Sequence, residues 1–216
     1  MNLPLDFIHT VENTFGEDGE QLIANLPALI EECSQRWALT NVRPVSNLSY
    51  NFVALAKSAS SSVQEVVLKI GVPREELTSE IAALRLFNSE GACRLIDCDE
   101  EKGFLLLERL QPGVMLSTLE DDEEATRIAA DVMLKIWRPM ESGSLLSNTQ
   151  QQDVGLHSKF IQLSDWFDGF ARLRAMFGGG TGPLNEKLVE RAERTAKDLL
   201  AENHQPVLMH GDFHHY

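Results

Sequence analysis

Residues 66–88 read VVLKIGVPREELTSEIAALRLFN and join a strand-like run to a helix-like run. The run 66–70 is apolar on both strand faces apart from Lys69, so we expect it to be covered on both sides. Residues 74–88 carry apolar side chains at helical spacing, and Glu80 shares the apolar stripe of that helix instead of facing solvent. The stripe contains Leu77, Leu84 and Phe87. The segment therefore predicts an inward lysine on a strand, followed by an inward glutamate on the next helix.

This Lys69 and Glu80 pattern has two interpretations. Taken alone, Lys69 is equally well explained as a structural lysine at a strand edge, with its ammonium group reaching water. A buried ammonium is costly without a partner, however, and Glu80 supplies a carboxylate eleven residues later. A strand lysine held by a helix glutamate is the arrangement that kinases use to bind the α and β phosphates of ATP. We therefore take the pair as a candidate phosphate-binding site.

Helical and strand-like spacing alternate along the rest of the chain in a simple order. Apolar residues at helical spacing open the chain, namely Leu22, Leu26, Leu29, Cys33 and Trp37. We predict antiparallel strands at 49–56, 63–70, 92–97 and 103–110, and further helices at 74–88, 122–137, 163–177 and 184–202. The order predicts an α+β protein with a β-rich N-terminal lobe, an α-rich C-terminal lobe and a cleft between them.

The composition is that of a globular protein with a sizeable core, because 43% of the 216 residues are hydrophobic and 24% are charged. A net charge of −14 argues against nucleic acid as a partner, since nucleic-acid binders neutralise phosphates with clustered Lys and Arg. No apolar run approaches the roughly 18 to 20 residues that cross a bilayer, and residues 1–10 do not resemble a signal peptide. Three cysteines without paired metal-type spacing fit reduced thiols. We therefore expect a cytoplasmic protein without membrane contact.

Two acidic stretches carry most of the negative charge. Residues 1–38 contain seven acids and one base, and residues 120–124 are all acidic. The second run precedes apolar residues at helical spacing, so its charges are expected to complement the dipole at the start of a helix. Asp165 and Asp168, on a helix rich in aromatic residues, could meet a cationic ligand, although a pair at this spacing is more often a polar stripe.

The segment 207–216, VLMHGDFHHY, brings a short apolar strand into a sharp turn. Gly211 allows the backbone to make that turn. Asp212 can then accept a proton from a substrate hydroxyl, while His210 and His214 brace the loop.

The same histidines have two other interpretations, a metal site or an exposed tail. A metal site lacks the wider ligand set that it would need, because the remaining histidines are scattered and no HExxH or CxxC spacing occurs. The scattered residues are His9, His157 and His204. A metal-dependent hydrolase built on this segment is the third and weakest hypothesis for the function.

Together these motifs resemble the aminoglycoside phosphotransferases. The shared features are Lys69, Glu80, LLLERL at 105–110 and HGDFHH at 210–215. Further segments are similar to the streptomycin 6-kinase branch, often grouped as aminoglycoside and hydroxyurea resistance kinases: SYN at 49–51, VLKIGVP at 67–73, EIAALR at 80–85 and WRP at 137–139. The resemblance extends from about Phe15 to Tyr216. It implies a protein-kinase-like two-lobe fold with a helical extension at 1–38, a nucleotide-binding lobe at 39–111 and a partial C-terminal helical lobe at 112–216.

The resemblance also implies roles for individual residues. Lys69 would contact the nucleotide phosphates and Glu80 would orient Lys69. Asp212 would be the catalytic base, and His214 would join it in binding the substrate. The backbone of Glu108, Arg109 and Leu110 would bind adenine, so that the side chain of Glu108 need not participate.

The loop at 46–51 lies where protein kinases have a glycine-rich loop, although it contains no glycine. This departure suits the antibiotic kinases, in which Ser49 or neighbouring backbone amides would cover the phosphates. A hairpin turn without a ligand is the alternative.

In this family the motif around Asp212 continues to an Asn and a further Asp that bind magnesium, and Tyr216 precedes the place where that Asn is expected. We therefore expect ATP and Mg²⁺ as cofactors, with metal ligands beyond Tyr216 and none within this chain. Phosphoryl transfer depends on metal to neutralise the phosphates, so a chain without these ligands should be impaired.

Two functions of different class follow. The first is an ATP-dependent O-phosphotransferase that modifies a hydroxyl of a small polar or cationic molecule, with an aminoglycoside such as streptomycin as the leading substrate. The second is a non-catalytic, degenerate kinase-like domain that binds a nucleotide or a partner protein.

Overall fold

The computed structural model describes residues 3–59, 64–137, 160–202 and 207–213. Its helices and its antiparallel strands make it an α+β protein, as predicted. In chain order they are α1 (Leu5–Phe15), α2 (Glu17–Arg36), β1 (Leu39–Pro44), β2 (Phe52–Ser58), β3 (Glu65–Ile70), α3 (Glu75–Phe87), β4 (Leu95–Asp99), β5 (Phe104–Glu108), α4 (Asp122–Ile136), α5 (Leu163–Met176) and α6 (Glu186–Ala201).

The five strands form one sheet in the order β1-β2-β3-β5-β4, and every neighbouring pair is antiparallel. The strand β3 therefore lies in the middle of the sheet, between β2 and β5. Lys69 pairs with Val53 on one side and with Leu105 on the other. The predicted strands match β2 to β5, but β1 was missed in the sequence analysis.

The sequence of β1 hides its strand character because its periodicity is broken. Asn41 has a positive φ of 55°, and the pairing with β2 shifts register between Thr40 and Arg43. Such an irregularity removes the simple alternation of apolar and polar side chains that marks a half-buried strand. The strand also ends in Pro44, which suits an edge strand.

One face of the sheet is covered by α1 and α2. Side chains of β2, β3 and β5 that point to this face are fully or almost fully buried, and they pack in one cluster with residues of both helices. The strand residues include Phe52, Ala54, Val66, Leu68, Ile70, Phe104 and Leu106, and the helix residues include Phe7, Val11, Leu22, Leu26 and Cys33. The predicted amphipathic helix with its stripe of leucines is therefore α2, and its apolar side packs on the sheet.

The opposite face of the sheet carries α3. Leu77, Ile81 and Leu84 of this helix pack against Leu105 and Leu107 of β5. Side chains that point to this face from β2 and β3 are only half-buried, which leaves part of the face open beside α3. Lys69 lies on this face, because it alternates with the buried Leu68 and Ile70.

The acidic run before α4 acts as a helix start, as predicted. Asp121 is the N-cap, and its carboxylate accepts hydrogen bonds from the backbone N–H groups of Glu123 and Glu124 at 3.0 and 3.1 Å. Asp122, Glu123 and Glu124 occupy the first turn, where negative charge complements the helix dipole. The run therefore contributes to helix formation and solvation of the surface.

The chain divides into two compact units, residues 1–138 with 208–216 and residues 139–207. In the second unit α5 and α6 are joined by an ion pair in which Arg174 donates to both carboxylate oxygens of Glu193 at 2.6 and 2.8 Å. The predicted division at 1–38, 39–111 and 112–216 stays a prediction. Among the described residues, no helix combines the length and apolarity needed to cross a membrane.

Candidate functional site

Lys69 and Glu80 meet on the open face of the sheet. The ammonium group of Lys69 donates hydrogen bonds to both carboxylate oxygens of Glu80, at 2.7 Å to Oε1 and 2.6 Å to Oε2. The two side chains come together because Lys69 points to the face that carries α3, and because the apolar stripe of α3 turns Glu80 toward the sheet. The structure therefore pairs the lysine and the glutamate that the sequence placed eleven residues apart.

The pair is largely shielded from solvent. Only 17% of the Lys69 side chain and 34% of the Glu80 side chain are exposed. Taking an ammonium group out of water is unfavourable unless a close carboxylate replaces the lost hydration, and Glu80 does so with both oxygens. Lys69 is thus held in one position, with its charge available next to the open part of the sheet.

An open cavity of about 410 Å³ lies on the same face, beside the end of β5. Its floor includes Leu55 and Val67, which face each other across β2 and β3. The remaining lining residues are Cys93, Leu107, Glu108, Arg109, Leu110, Pro112 and Gly113. Apolar side chains on the floor and polar backbone groups on the rim are typical of a small-molecule site.

The features of this sheet face follow one another along β3. Val67 in the cavity floor and Lys69 point the same way two residues apart on β3, which separates them by about 7 Å along the strand. Gly71 follows, and a Cβ atom there would lie 2.1 Å from Oδ1 of Asn51, at the end of the 46–51 loop. The cavity, the Lys69 and Glu80 pair and the 46–51 loop therefore follow one another along β3.

The backbone segment 108–111 at the cavity rim is tied to both neighbouring strands. The N–H of Glu108 donates to the carbonyl oxygen of Arg94 at 3.0 Å, and the N–H of Arg94 donates to Oε1 of Glu108 at 2.9 Å. Arg109 forms an ion pair with Glu65 at 3.3 Å, and the amide of Gln111 donates to the same carboxylate. The segment 108–111 therefore borders the cavity, and the side chains of Glu108, Arg109 and Gln111 bind neighbouring residues.

Glu65 and Arg94 were missed in the sequence analysis. Glu65 could have been found from strand register, because pairing Val66 with Glu108 puts Glu65 directly opposite Arg109. Arg94 carries no local signal, since its contact with Glu108 depends on the pairing of β4 with β5 and on a register shift within β4.

Cys93 lies between the cavity and the ion pair. Burial raises the pKa of the Cys93 thiol, and the nearby negative charges of Glu80 and Glu108 raise the pKa further. The thiol is therefore held in its neutral form, so that Cys93 contributes an uncharged surface to the cavity.

The other predicted site residues occupy exposed positions. Ser49 lies in the exposed part of the loop between β1 and β2. Asp212 is exposed in the segment 207–213, where Gly211 has a φ of 81° and makes the predicted sharp turn. The ring of His210 contacts that of Phe213 edge-on at a centroid distance of 5.7 Å. His214 falls outside the described residues.

Two predictions about other ligands can be compared with the described part of the chain. Asp165 accepts a hydrogen bond from the N–H of Gln162 at 3.1 Å and thereby caps α5, which agrees with its interpretation as a structural polar residue. Within the ranges that the structure describes, no three His, Cys, Asp or Glu side chains gather into a possible metal site.

Comparison with known proteins decides the family. Residues 36–216 match the family described as aminoglycoside/hydroxyurea antibiotic resistance kinase. The chain belongs to this family. The match covers the whole sheet, α3, the cavity and the segment around Asp212, so the candidate site lies within the region that the family shares.

Curated relatives of this kinase family extend the comparison. The chain is 33% identical over 136 residues to streptomycin 6-kinases of Streptomyces griseus and Streptomyces glaucescens, and 30% identical over 138 residues to a hydroxyurea phosphotransferase of Kitasatospora aureofaciens. Each alignment covers 63% of this chain. The chain spans 44% of the length of the two streptomycin 6-kinases and 40% of the length of the third relative.

Proposed function

We propose that the protein is an ATP-dependent O-phosphotransferase that moves the γ-phosphate of ATP onto a hydroxyl of a small molecule. An aminoglycoside such as streptomycin is the leading substrate, and its phosphorylation would give antibiotic resistance by inactivation. The observation that carries the proposal is the Lys69 and Glu80 pair beside the open cavity on one sheet face. The names of the relatives, streptomycin 6-kinase and hydroxyurea phosphotransferase, support the reaction and the class of acceptor.

The geometry of the sheet face suits a nucleotide that lies along β3. The cavity between Leu55, Val67 and the 108–113 segment would hold the base, and backbone groups of that segment would bind its edge. Lys69, about 7 Å further along the strand, would then meet the phosphates. The 46–51 loop follows beyond Lys69, so Ser49 and nearby backbone amides would cover the phosphates from that side.

The chemistry expected of the chain's own residues is limited to binding, orientation and proton transfer. Lys69 would neutralise charge on the phosphates while Glu80 keeps its ammonium group in place. The substrate hydroxyl would attack the γ-phosphorus, the bond from that phosphorus to the β,γ-bridging oxygen would break, and Asp212 would take the hydroxyl proton. Mg²⁺ neutralises phosphate charge when it is bound.

The proposal includes the two-lobe, protein-kinase-like arrangement of the whole protein and a cytoplasmic location, where ATP is available. His214 is proposed to assist Asp212 in binding the acceptor. The net charge of −14 argues against a polyanion as the acceptor, but most of it lies in residues 1–38 and 120–124, away from the candidate site.

Transfer of radiolabelled phosphate from ATP to a panel of aminoglycosides and to hydroxyurea tests the proposal on the full-length gene product. We expect one acceptor to be labelled and the labelling to fall by about 10² to 10⁴ in Asp212→Asn, because general-base catalysis contributes that much. Asp198→Asn, which changes an exposed aspartate on α6, is the matched control. No labelling of any acceptor would overturn the antibiotic assignment, and nucleotide binding without transfer would favour the non-catalytic domain.

A further inference from the structure

The cavity rim at 108–111 is held from two sides by carboxylates on different strands. Glu108 connects it to the residue just before β4, and Glu65, the first residue of β3, connects it to the centre of the sheet. Neither carboxylate is expected to contact the nucleotide itself. Their positions nevertheless determine where the backbone of the rim can lie.

The contact between Glu108 and Arg94 is reciprocal. Each backbone N–H donates to the other residue, to a carbonyl oxygen in one direction and to a carboxylate oxygen in the other. The guanidinium Nε of Arg94 lies 3.8 Å from Oε2 of Glu108, and it is buried without a hydrogen-bond partner among the described residues. The Glu108 carboxylate is therefore the charge that compensates a buried N–H of Arg94.

The contact with Glu65 is made on the other side of the rim. Its carboxylate accepts from the guanidinium of Arg109 at 3.3 Å and from the side-chain amide of Gln111. Arg109 and Gln111, the residues on either side of Leu110, thus both bind the carboxylate of Glu65. These contacts therefore restrict how far the backbone of Leu110 can move away from the cavity.

Recognition of a flat base depends on such constraints. A backbone N–H or carbonyl binds a ring edge well only when it is held within about 0.5 Å of the required position by surrounding contacts. The N–H of Glu108 already donates to Arg94, so base recognition would fall on backbone groups of Arg109 and Leu110. Arg109 and Leu110 lie between Glu108, which contacts Arg94, and Gln111, which contacts Glu65.

We infer that Glu65 and Glu108 are positioning residues for base recognition, holding the backbone of Arg109 and Leu110 at the cavity so that it can bind the base of a nucleotide. This inference rests on the proposed nucleotide binding and adds a role for the side chain of Glu108, which the motif comparison left without one. The two carboxylates touch neither the phosphates nor the acceptor in this assignment. Their loss should therefore affect the base and spare the phosphates.

Binding of ADP and of inorganic tripolyphosphate, which has no base, separates this role from a general structural one. We expect Glu108→Gln and Glu65→Gln each to weaken ADP binding about tenfold, the usual effect of losing one charge-assisted hydrogen bond, and to leave tripolyphosphate binding within about twofold. Discrimination between ADP and GDP should also decrease in both variants. Lys69→Ala should weaken both ligands.

Two Glu→Gln substitutions outside the cavity serve as controls. Glu100, whose side chain is 29% exposed against 26% for Glu108, forms an ion pair with Arg85, and Glu32, at 43% against 39% for Glu65, forms one with Lys102. Neither control should change binding of either ligand. If a Glu65 variant does not fold, Arg109→Gln removes one of the two contacts of Glu65 and should give the same contrast to a smaller extent.

The outcomes distinguish the inference from the function on which it rests. A wild-type chain that binds ADP, with both variants unchanged or with ADP and tripolyphosphate weakened equally, would overturn the positioning role and leave nucleotide binding intact. A wild-type chain that binds neither ligand would overturn the proposed function together with the inference.

Discussion

The ammonium group of Lys69 on β3 lies 2.7 and 2.6 Å from the two carboxylate oxygens of Glu80 on α3. This contact joins β3, the central strand of the sheet, to α3, the helix that covers part of the sheet face opposite α1 and α2. Because both side chains are largely shielded from water, each depends on the other for compensation of its charge. Lys69 and Glu80 therefore contribute both to the packing of α3 on the sheet and to the proposed phosphate site.

Lys69→Ala should weaken binding of ADP by about tenfold to a hundredfold, since hydrogen bonds from a charged donor to phosphate contribute about 1.5 to 3 kcal/mol. Isothermal titration of the purified chain with ADP measures this. Lys102→Ala is the matched control, because Lys102 is also paired with a glutamate, Glu32, but lies in the turn between β4 and β5. Equal affinities for wild type and Lys69→Ala would contradict the phosphate site.

Glu80→Gln should lower the free energy of unfolding by about 1 to 2 kcal/mol. This is intermediate between the loss of an exposed ion pair, at most about 1 kcal/mol, and the loss of a buried partner, about 3 to 5 kcal/mol. Urea unfolding followed by circular dichroism measures the change in midpoint. Glu76→Gln, on the exposed side of the same helix, should change the midpoint much less, and equal shifts would count against a stabilising role of the pair.

Stability above about pH 9 should depend on Cys33. Burial and, to a smaller extent, the negative charge of Glu32 raise the pKa of this thiol from its usual 9.0 to about 12. Between these values the unfolded chain has lost the proton that the folded protein keeps, so the free energy of unfolding falls as the pH rises, by up to about 1.4 kcal/mol per pH unit. The contribution is complete below pH 9 and is lost toward pH 12.

Urea unfolding of wild type and Cys33→Ala at several pH values between about 8 and 10.5 isolates this contribution, because the other titrating groups are common to both proteins. We expect the stability advantage of the wild type to shrink as the pH passes 9. Parallel pH profiles would show that Cys33 ionises equally in the folded and unfolded states.

Gly103→Ala should lower the free energy of unfolding by about 3 kcal/mol. Gly103 has a φ of 72°, and a Cβ atom there would lie 2.1 Å from the carbonyl oxygen of Gly71. The left-handed conformation costs about 1 to 2 kcal/mol for a residue with a side chain, and the overlap with a backbone atom adds about 1 to 3 kcal/mol. Urea unfolding measures the total.

Gly178→Ala is the control for this prediction. Gly178 has a similar φ of 60°, but a Cβ atom there would meet nothing within 4 Å. Its substitution should cost only the conformational part, about 1 to 2 kcal/mol. If both alanine variants were destabilised to the same extent, the close approach of Gly103 to Gly71 would contribute nothing to the cost of Gly103→Ala.

Local periodicity was sufficient to predict most elements. The stripe in residues 74–88 gave α3 within one residue at each end, and the acidic run before Ala125 gave the start of α4. Glu80 was correctly placed on the inner side of α3, because its neighbours at helical spacing are apolar. Each of these predictions depends on residues within about three turns of one another.

The parts of the site that were missed depend on distant segments. The cavity floor at Leu55 and Val67 exists because β2 lies beside β3, and the anchors at Glu65 and Arg94 exist because β3 and β4 flank β5. The strand β5 inserts between β3 and β4, an order that does not follow from sequence proximity. No local pattern in these segments shows which strand will be the neighbour.

The amino-acid sequence alone predicted the inward strand lysine, the inward helix glutamate and most helices and strands of this protein. It could do so because strand and helix periods are set within a few residues by backbone geometry. The tertiary structure alone showed that Glu65 contacts Arg109 and Gln111, that Glu108 contacts Arg94, and that α1 and α2 cover one sheet face while α3 leaves the other partly open. These features arise from strand order and register, which depend on the packing of residues far apart in the chain.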